Sequence, residues 1–322
     1  MEELSMDRSE TTCVEAILRD ELARGNRALS GVAPVISHLL ENSGHALVSD
    51  AIVARLRGML SDVARQLLGA GLAPHLRGQV NEDAADQLSA ALAGNSSVLN
   101  HLYALAMEGH LTERLEQRSS LDPVLSPLLQ ELIASDRPNV AEIAMNALAA
   151  QSRFMQGQRR MNLPVGELPA DLFLQALECF RKAPLNLNPA QVSSGVSALK
   201  ARYDEGVGRL GLFARLIGSM RGGAVVALEL NHSGLALFVS AMAALTRQPR
   251  DLAILACHQR QAARLALSLR AAGLDARAIE RQFVLIEPDE MLPTGIADLR
   301  AERAQELLAA SDVSPSFHYD AA

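Results

Sequence analysis

Apolar residues recur at three- and four-residue spacing along almost the whole of this 322-residue chain, and that rhythm narrows its choice of fold more than anything else. Side chains at i, i+3, i+4 and i+7 share one face of a helix, so each run asks to be buried against another helix. N-cap residues, first-turn prolines and terminal glycines punctuate the runs. The core must be built from Leu, Ala, Val, Ile and Met, because aromatics make up 3% of the sequence and Trp is absent. Such side chains suit closely packed helices, whereas β-sandwiches draw on aromatic and β-branched residues. The fold class is therefore all-α, an N-terminal helical bundle followed by a solenoid-like array of short helices.

The spacing of Thr12 and Glu15 fits a capping box opening a first helix that runs towards Arg24. A second helix near Arg27 carries Leu29, Val32, Ile36 and Leu39, and a third, capped by Ser49 or Asp50, carries Val53, Leu56, Leu60, Val63 and Leu67. Steps of three and four along these nine residues make a bundle seam. Val35, Leu40, Ile52 and Met59 add further apolar surface beside it. A hairpin with that much apolar face needs a cover, and a homodimer through these nine residues supplies one. The chain's own later helices are the alternative cover.

Asn81 followed by Glu82 and Asp83 predicts a helix to Gly94, and Ser97 starts another that stops at Gly109. The polar stretch Glu113 to Ser120 then precedes Asp122 and Pro123, an N-cap and first-turn proline that open the second half. Helices are expected from Pro123, Pro138, Pro169 and Pro189, then over Ser233 to Leu245, Asp251 to Ala272, Asp275 to Leu285 and Ile296 to Ala310. Three regions follow: a bundle over 1–118 with its candidate dimerisation hairpin, a helical array over 121–310, and a frayed tail over 311–322.

The segments "VAEIAMNALAAQSRFM" from Val140 and "LFVSAMAALTRQPRDLAILACHQRQAARLALSLRAAGL" from Leu237 resemble an alphaproteobacterial family of all-helical, HEAT-like domains of unknown function. The resemblance covers Leu121 to about Glu287. It implies a helical, solenoid-like fold and brings no catalytic residues with it.

Candidate chemical sites fall to plainer readings. His38, Glu41 and His45 stand at i, i+3 and i+7, a spacing a zinc or iron site could use, but Asn42 to Gly44 should stop the helix before His45. His38 in a helical hairpin also has the setting of a phosphoaccepting histidine, yet Leu39 follows where an acidic residue is usual. His101, Glu108 and His110 are separated by the expected break at Gly109. Cys257 and His258 are adjacent on a helix and point about a third of a turn apart, which does not give a nucleophile and its base a shared hydrogen bond. The glycines from Gly206 to Gly223 lack the preceding strand of a phosphate loop and read as close helix packing. Cys13, Cys179 and Cys257 are odd in number and far apart, so no disulfide framework follows. No metal, cofactor or catalytic residue is therefore assigned.

A net charge of −7, with arginines interleaved among acids, argues against a nucleic-acid binder. The densest basic stretch, Arg153, Arg159 and Arg160, reads as a solvated helix end. Met1 to Thr12 lacks the pattern of a signal peptide, and the most apolar region, Ala224 to Leu245, is interrupted by Glu229, Asn231, His232 and Gly234. The expected setting is the cytoplasm of a bacterium with an arginine- and alanine-rich proteome, away from membranes. The expected function is a non-enzymatic protein-interaction, scaffold or regulatory role. A small-molecule sensor or enzyme with a pocket between helices is the alternative.

Overall fold

The computed structural model describes residues 2–41, 50–73, 75, 79–185, 187–258, 261–287, 291–293 and 295–311, with side chains of 2–13 and 38–41 excluded. Among these residues the chain is all-α and contains no strand. The first helix, α1 (Glu2–Ser30), runs straight through the expected start at Thr12. Glu15 is not a capping residue; its carboxylate is spent on Arg303, at 2.7 and 2.8 Å, and on Arg19 at 2.8 Å. Those guanidinium bonds hold the Glu15 carboxyl below its usual range. A break at Gly31, where its N–H closes on the Arg27 carbonyl at 3.2 Å, separates α1 from α2 (Val32–Glu41).

Next come α3 (Asp50–Ala70) and α4 (Glu82–Ala93), the latter capped as expected by Asn81, whose side chain accepts the Ala84 N–H. The following helix, α5 (Ser96–Ser119), does not stop at Gly109. There the glycine serves packing, since an added Cβ would lie 2.9 Å from Gln158 Oε1. Asp122 folds a turn by accepting the Val124 and Leu125 N–H groups at 2.8 Å. The cap moves to Ser126, and α6 (Pro127–Ile133) begins four residues later than expected.

The proline-led starts hold for α7 (Pro138–Arg160), α8 (Ala170–Lys182, behind Pro169) and α9 (Pro189–Lys200). The glycine-dense region becomes α10 (Arg209–Met220) and a 3-10 segment, Arg221–Leu228. Close packing accounts for Gly211, whose Cβ would overlap the Glu205 carbonyl, but not for Gly218, Gly222 and Gly223, which face open space. Then follow α11 (Leu230–Thr246), bent at Gly234 with φ of 68°, and α12 (Arg250–Ala256). The long helix expected over Asp251 to Ala272 is divided, and α13 (Ala262–Ala271) is its second part. The described chain ends with α14 (Ala276–Ile286) and α15 (Ala301–Ala310).

Two compact units form, and neither is a single stretch of sequence. Among the described residues, unit 1 takes in those of Met1–Gly31 and Leu111–Glu142 and those from Phe213 onward, and unit 2 those of Val32–His110 and Ile143–Leu212. The division expected near residue 120 is thus replaced by boundaries inside α5, α7 and α10. Within unit 1, α13 packs on α1 and α15, and α11 on α6 and α12. Within unit 2, α3 is the central helix, packed on α2, α4, α8 and α9. Pairs such as α1 with α13 and α3 with α9 are remote in sequence, unlike the neighbour-only stacking of a solenoid.

Among the described residues one helical stretch, Arg209–Leu228, has the length and mean hydropathy (1.3) of a membrane span, a test that core helices also pass. Its regular α-helical part ends at Met220, and it carries Arg209, Arg215 and Arg221.

Candidate functional site

A groove of about 480 Å³ opens on unit 2, lined by Arg65, Gln66, Gly69 and Ala70 of α3, Val165 and Gly166, Phe173 of α8, and Leu199, Arg202 and Tyr203 at the end of α9. Its parts are fixed from the helices outward. Asp62 and Gln66, one turn apart on α3, hold the strand-like stretch after α7. Asp62 Oδ2 accepts the Leu163 N–H at 2.8 Å, while Gln66 donates to the Leu163 carbonyl at 2.8 Å and accepts the Val165 N–H at 2.9 Å. Gln66 Nε2 also reaches Asp62 Oδ2 at 2.9 Å. Every one of these groups would otherwise be a half-buried polar atom without a partner.

Burial pushes the Asp62 carboxyl up, and the bonds from Leu163 and Gln66 offset this only in part. A carboxyl raised by folding favours the folded state below its unfolded value and loses that contribution as pH rises through the folded value. Asp62→Asn keeps the accepting oxygen without the charge. It is expected to match the wild type at about pH 3 and to gain on it by about pH 7, as urea unfolding at the two values would read.

The other wall depends on two glycines. Gly195 of α9 lies so near α3 that an added Cβ would stand 2.9 Å from the Gly71 nitrogen, and a Cβ on Gly71 would overlap the Gln191 carbonyl oxygen. Phe173 and Tyr203 stack at 4.0 Å with their planes 10° apart, forming the aromatic part of the floor. The Tyr203 hydroxyl donates to the Leu168 carbonyl at 2.8 Å. Burial, with Glu205, Asp171 and Asp204 nearby, pushes Tyr203 up to about 12. That phenol stays protonated at neutral pH and acts as a fixed donor. At the rim Arg65 pairs with Glu82 at 2.6 Å, and Arg202 Nε donates to the Ala198 carbonyl at 3.1 Å.

Elsewhere the candidate residues have structural employment. Glu108 forms a two-pronged ion pair with Arg209, at 2.7 and 2.9 Å. Cys257 is buried beyond the end of α12, and its thiol donates to the Ala253 carbonyl at 3.5 Å. Among the described residues no three His, Cys, Asp or Glu side chains are gathered as a metal site. His45 lies outside those residues, as do the side chains of His38 and Glu41.

Of the nine residues placed in a dimer seam, Leu29, Ile36, Val53, Leu56, Leu60, Val63 and Leu67 are buried in the single chain, and Val32 is half-buried. The Leu39 side chain is outside the described residues. For the α3 members the cover is α4, α8 and α9 of the same unit. The α3 part of the apolar surplus is thus covered within one chain, while Val35 of α2 stays 38% exposed.

None of the groove residues was singled out by sequence. A usable signal existed in Phe173 and Tyr203, two of only ten Phe and Tyr residues in the chain. The pairing of Arg65 with Arg202 had none, since it arises from folding. Comparison with protein-family models, curated proteins and solved structures finds no match to this chain.

Proposed function

We propose that this is a non-enzymatic protein-interaction protein of regulatory or scaffolding type, and that the groove of unit 2 receives an acidic segment of its partner. The observation that carries the reading is the groove lining, in which Arg65 and Arg202 accompany an apolar floor of Val165, Phe173 and Leu199. Guanidinium groups pair with carboxylates through parallel hydrogen bonds, and rigid aromatic rings supply contact area at low entropic cost. Gly69 and Gly166 add bare backbone to the lining, and a Cβ on Gly166 would meet nothing within 4 Å. A non-catalytic role agrees with the Tyr203 phenol, whose raised pKa and fixed bond to Leu168 suit recognition better than proton transfer.

The test uses the full chain and the double variant R65E/R202E as parallel baits in a lysate of the source organism. Both arginines are exposed, so the helical content and unfolding midpoint should not move beyond about 0.5 kcal/mol equivalent. A partner held by the wild type and lost by the variant is the expected outcome. Capture that ignores the charge reversal sinks the assignment of this groove. The alternative of a small-ligand sensor has a separate observation in its favour, the buried Arg264 of unit 1.

A further inference from the structure

Arg264 is the largest side chain among the described ones less than 2% exposed, and no described carboxylate pairs with it. One terminal nitrogen, Nη2, donates to Asn26 Oδ1 on α1. Its Nε and Nη1 are buried with no hydrogen-bond partner among the described residues. A guanidinium with two unanswered nitrogens, three N–H groups in all, is costly in a protein interior unless something else supplies the missing acceptors. The burial is deep enough to pull this arginine down to about 10.

A second feature converges on the same place. Arg264 sits in the first turn of α13, whose N-terminus has no side-chain cap. The first intrahelical bond runs from the Leu265 N–H to the Gln261 carbonyl, so the Ala262, Ala263 and Arg264 N–H groups precede the helix's own acceptors. Open N–H groups and the positive end of the helix dipole together attract an anion. Gln261, Ala262, Ala263 and Arg264 all line a pocket of about 500 Å³, closed on its other side by Leu22, Gly25 and Ala28 of α1. That volume suits a metabolite-sized ligand. The pocket is bounded at one end by Gln261 Nε2 donating to the Gly25 carbonyl at 3.1 Å, a contact that a Cβ at Gly25 would displace, since it would stand 2.6 Å from Gln261 Oε1. Of the other described charged side chains lining it, Arg24 is paired with Asp20 at 2.8 Å, and Glu21 supplies a carboxylate.

We propose that the α1–α13 pocket binds a small organic anion, a carboxylate or a phosphate monoester, that completes the hydrogen bonding of Arg264 at the α13 N-terminus. The Glu21 carboxylate limits the anionic end to the α13 side and favours a ligand with a neutral or cationic remainder. The site is separate from the groove of unit 2, so either assignment can fail without the other.

The experiment measures thermal unfolding of the full chain with succinate, inorganic phosphate and glycerol 3-phosphate as probes, against sodium chloride of equal ionic strength. At a hundredfold excess over Kd one or more probes should raise the midpoint by about 5 °C or more. Succinate alone responding assigns a carboxylate, and the phosphates alone a phosphoryl group. Arg264→Met should abolish the response while leaving the ligand-free protein equally or more stable, because it removes an uncompensated buried charge. Ala28→Glu, at an exposed lining position, brings a second carboxylate to the pocket and should weaken binding at least about fivefold without disturbing the core. No response beyond the chloride control, or a response that survives both variants, overturns the proposal. So does a large loss of stability in ligand-free Arg264→Met, which would make the arginine a structural group.

Discussion

Replacing Arg209 with methionine is expected to cost about 3–5 kcal/mol of folding stability, the largest single effect in unit 2. Its guanidinium grips both oxygens of Glu108, and the two side chains are 3% and 1% exposed. Nη1 also donates to Gln151 Oε1 at 3.2 Å, the backbone N–H to Glu167 Oε2 at 2.7 Å, and the guanidinium lies 3.6 Å above the Phe154 ring. Losing the arginine removes two donors from the Glu108 carboxylate and one from Gln151 Oε1, and leaves a charge in a dry interior. The pair itself is another matter, since two desolvated ions gain little over apolar residues of like volume. Glu108→Leu combined with Arg209→Met should therefore recover most of the loss. Urea unfolding of the two single variants and the double closes the cycle. A cost below about 1 kcal/mol for Arg209→Met alone would show that Glu108 finds another partner or becomes protonated.

Gly71→Ala should cost about 2–3 kcal/mol, near the top of the range for overpacking. The added methyl group meets the Gln191 carbonyl oxygen, a backbone atom that cannot rotate away. Relief requires α9 to retreat from α3, which widens the groove as well as loosening the core. Gly71 lies just beyond the last residue of α3, so no gain in helix propensity offsets the clash. Gly195→Ala strains the same contact from the opposite side, and the two together should cost less than their sum because one displacement relieves both. Denaturant midpoints test the stability effect. A fall in partner capture by Gly71→Ala at a temperature where it remains folded tests the link to the groove.

The all-α class was legible because helical periodicity is a local property, and caps such as Asn81 and Asp275 were readable because their partners lie two or three residues away. Errors concentrated where a long-range contact redefined a local signal. Gly109 reads as a helix stop until Gln158 from α7 is placed against it. Glu15 reads as half of a capping box until Arg303, 288 residues away, claims its carboxylate. The dimer seam was correctly apolar, but the cover for α3 comes from α8 and α9, more than a hundred residues downstream. Arg264 was invisible for a different reason. It lies in a helix buried on nearly every side, where periodicity carries no information about which residue is out of place.

The interleaving of the two units has a consequence in time. Unit 2 has all its helices once Leu212 has been synthesised, whereas α1 of unit 1 must wait for α13. Gln261 and the Gly25 carbonyl it binds are 236 residues apart. At ribosomal rates of about 5–20 residues per second that interval is roughly 12–47 s. Throughout it α1, with Leu18, Leu22 and Leu29 on its buried side, has been made and α13, which packs on it, has not. Helix α1 must thus wait for a cover made more than two hundred residues later, and its apolar face stays open to solvent for that long.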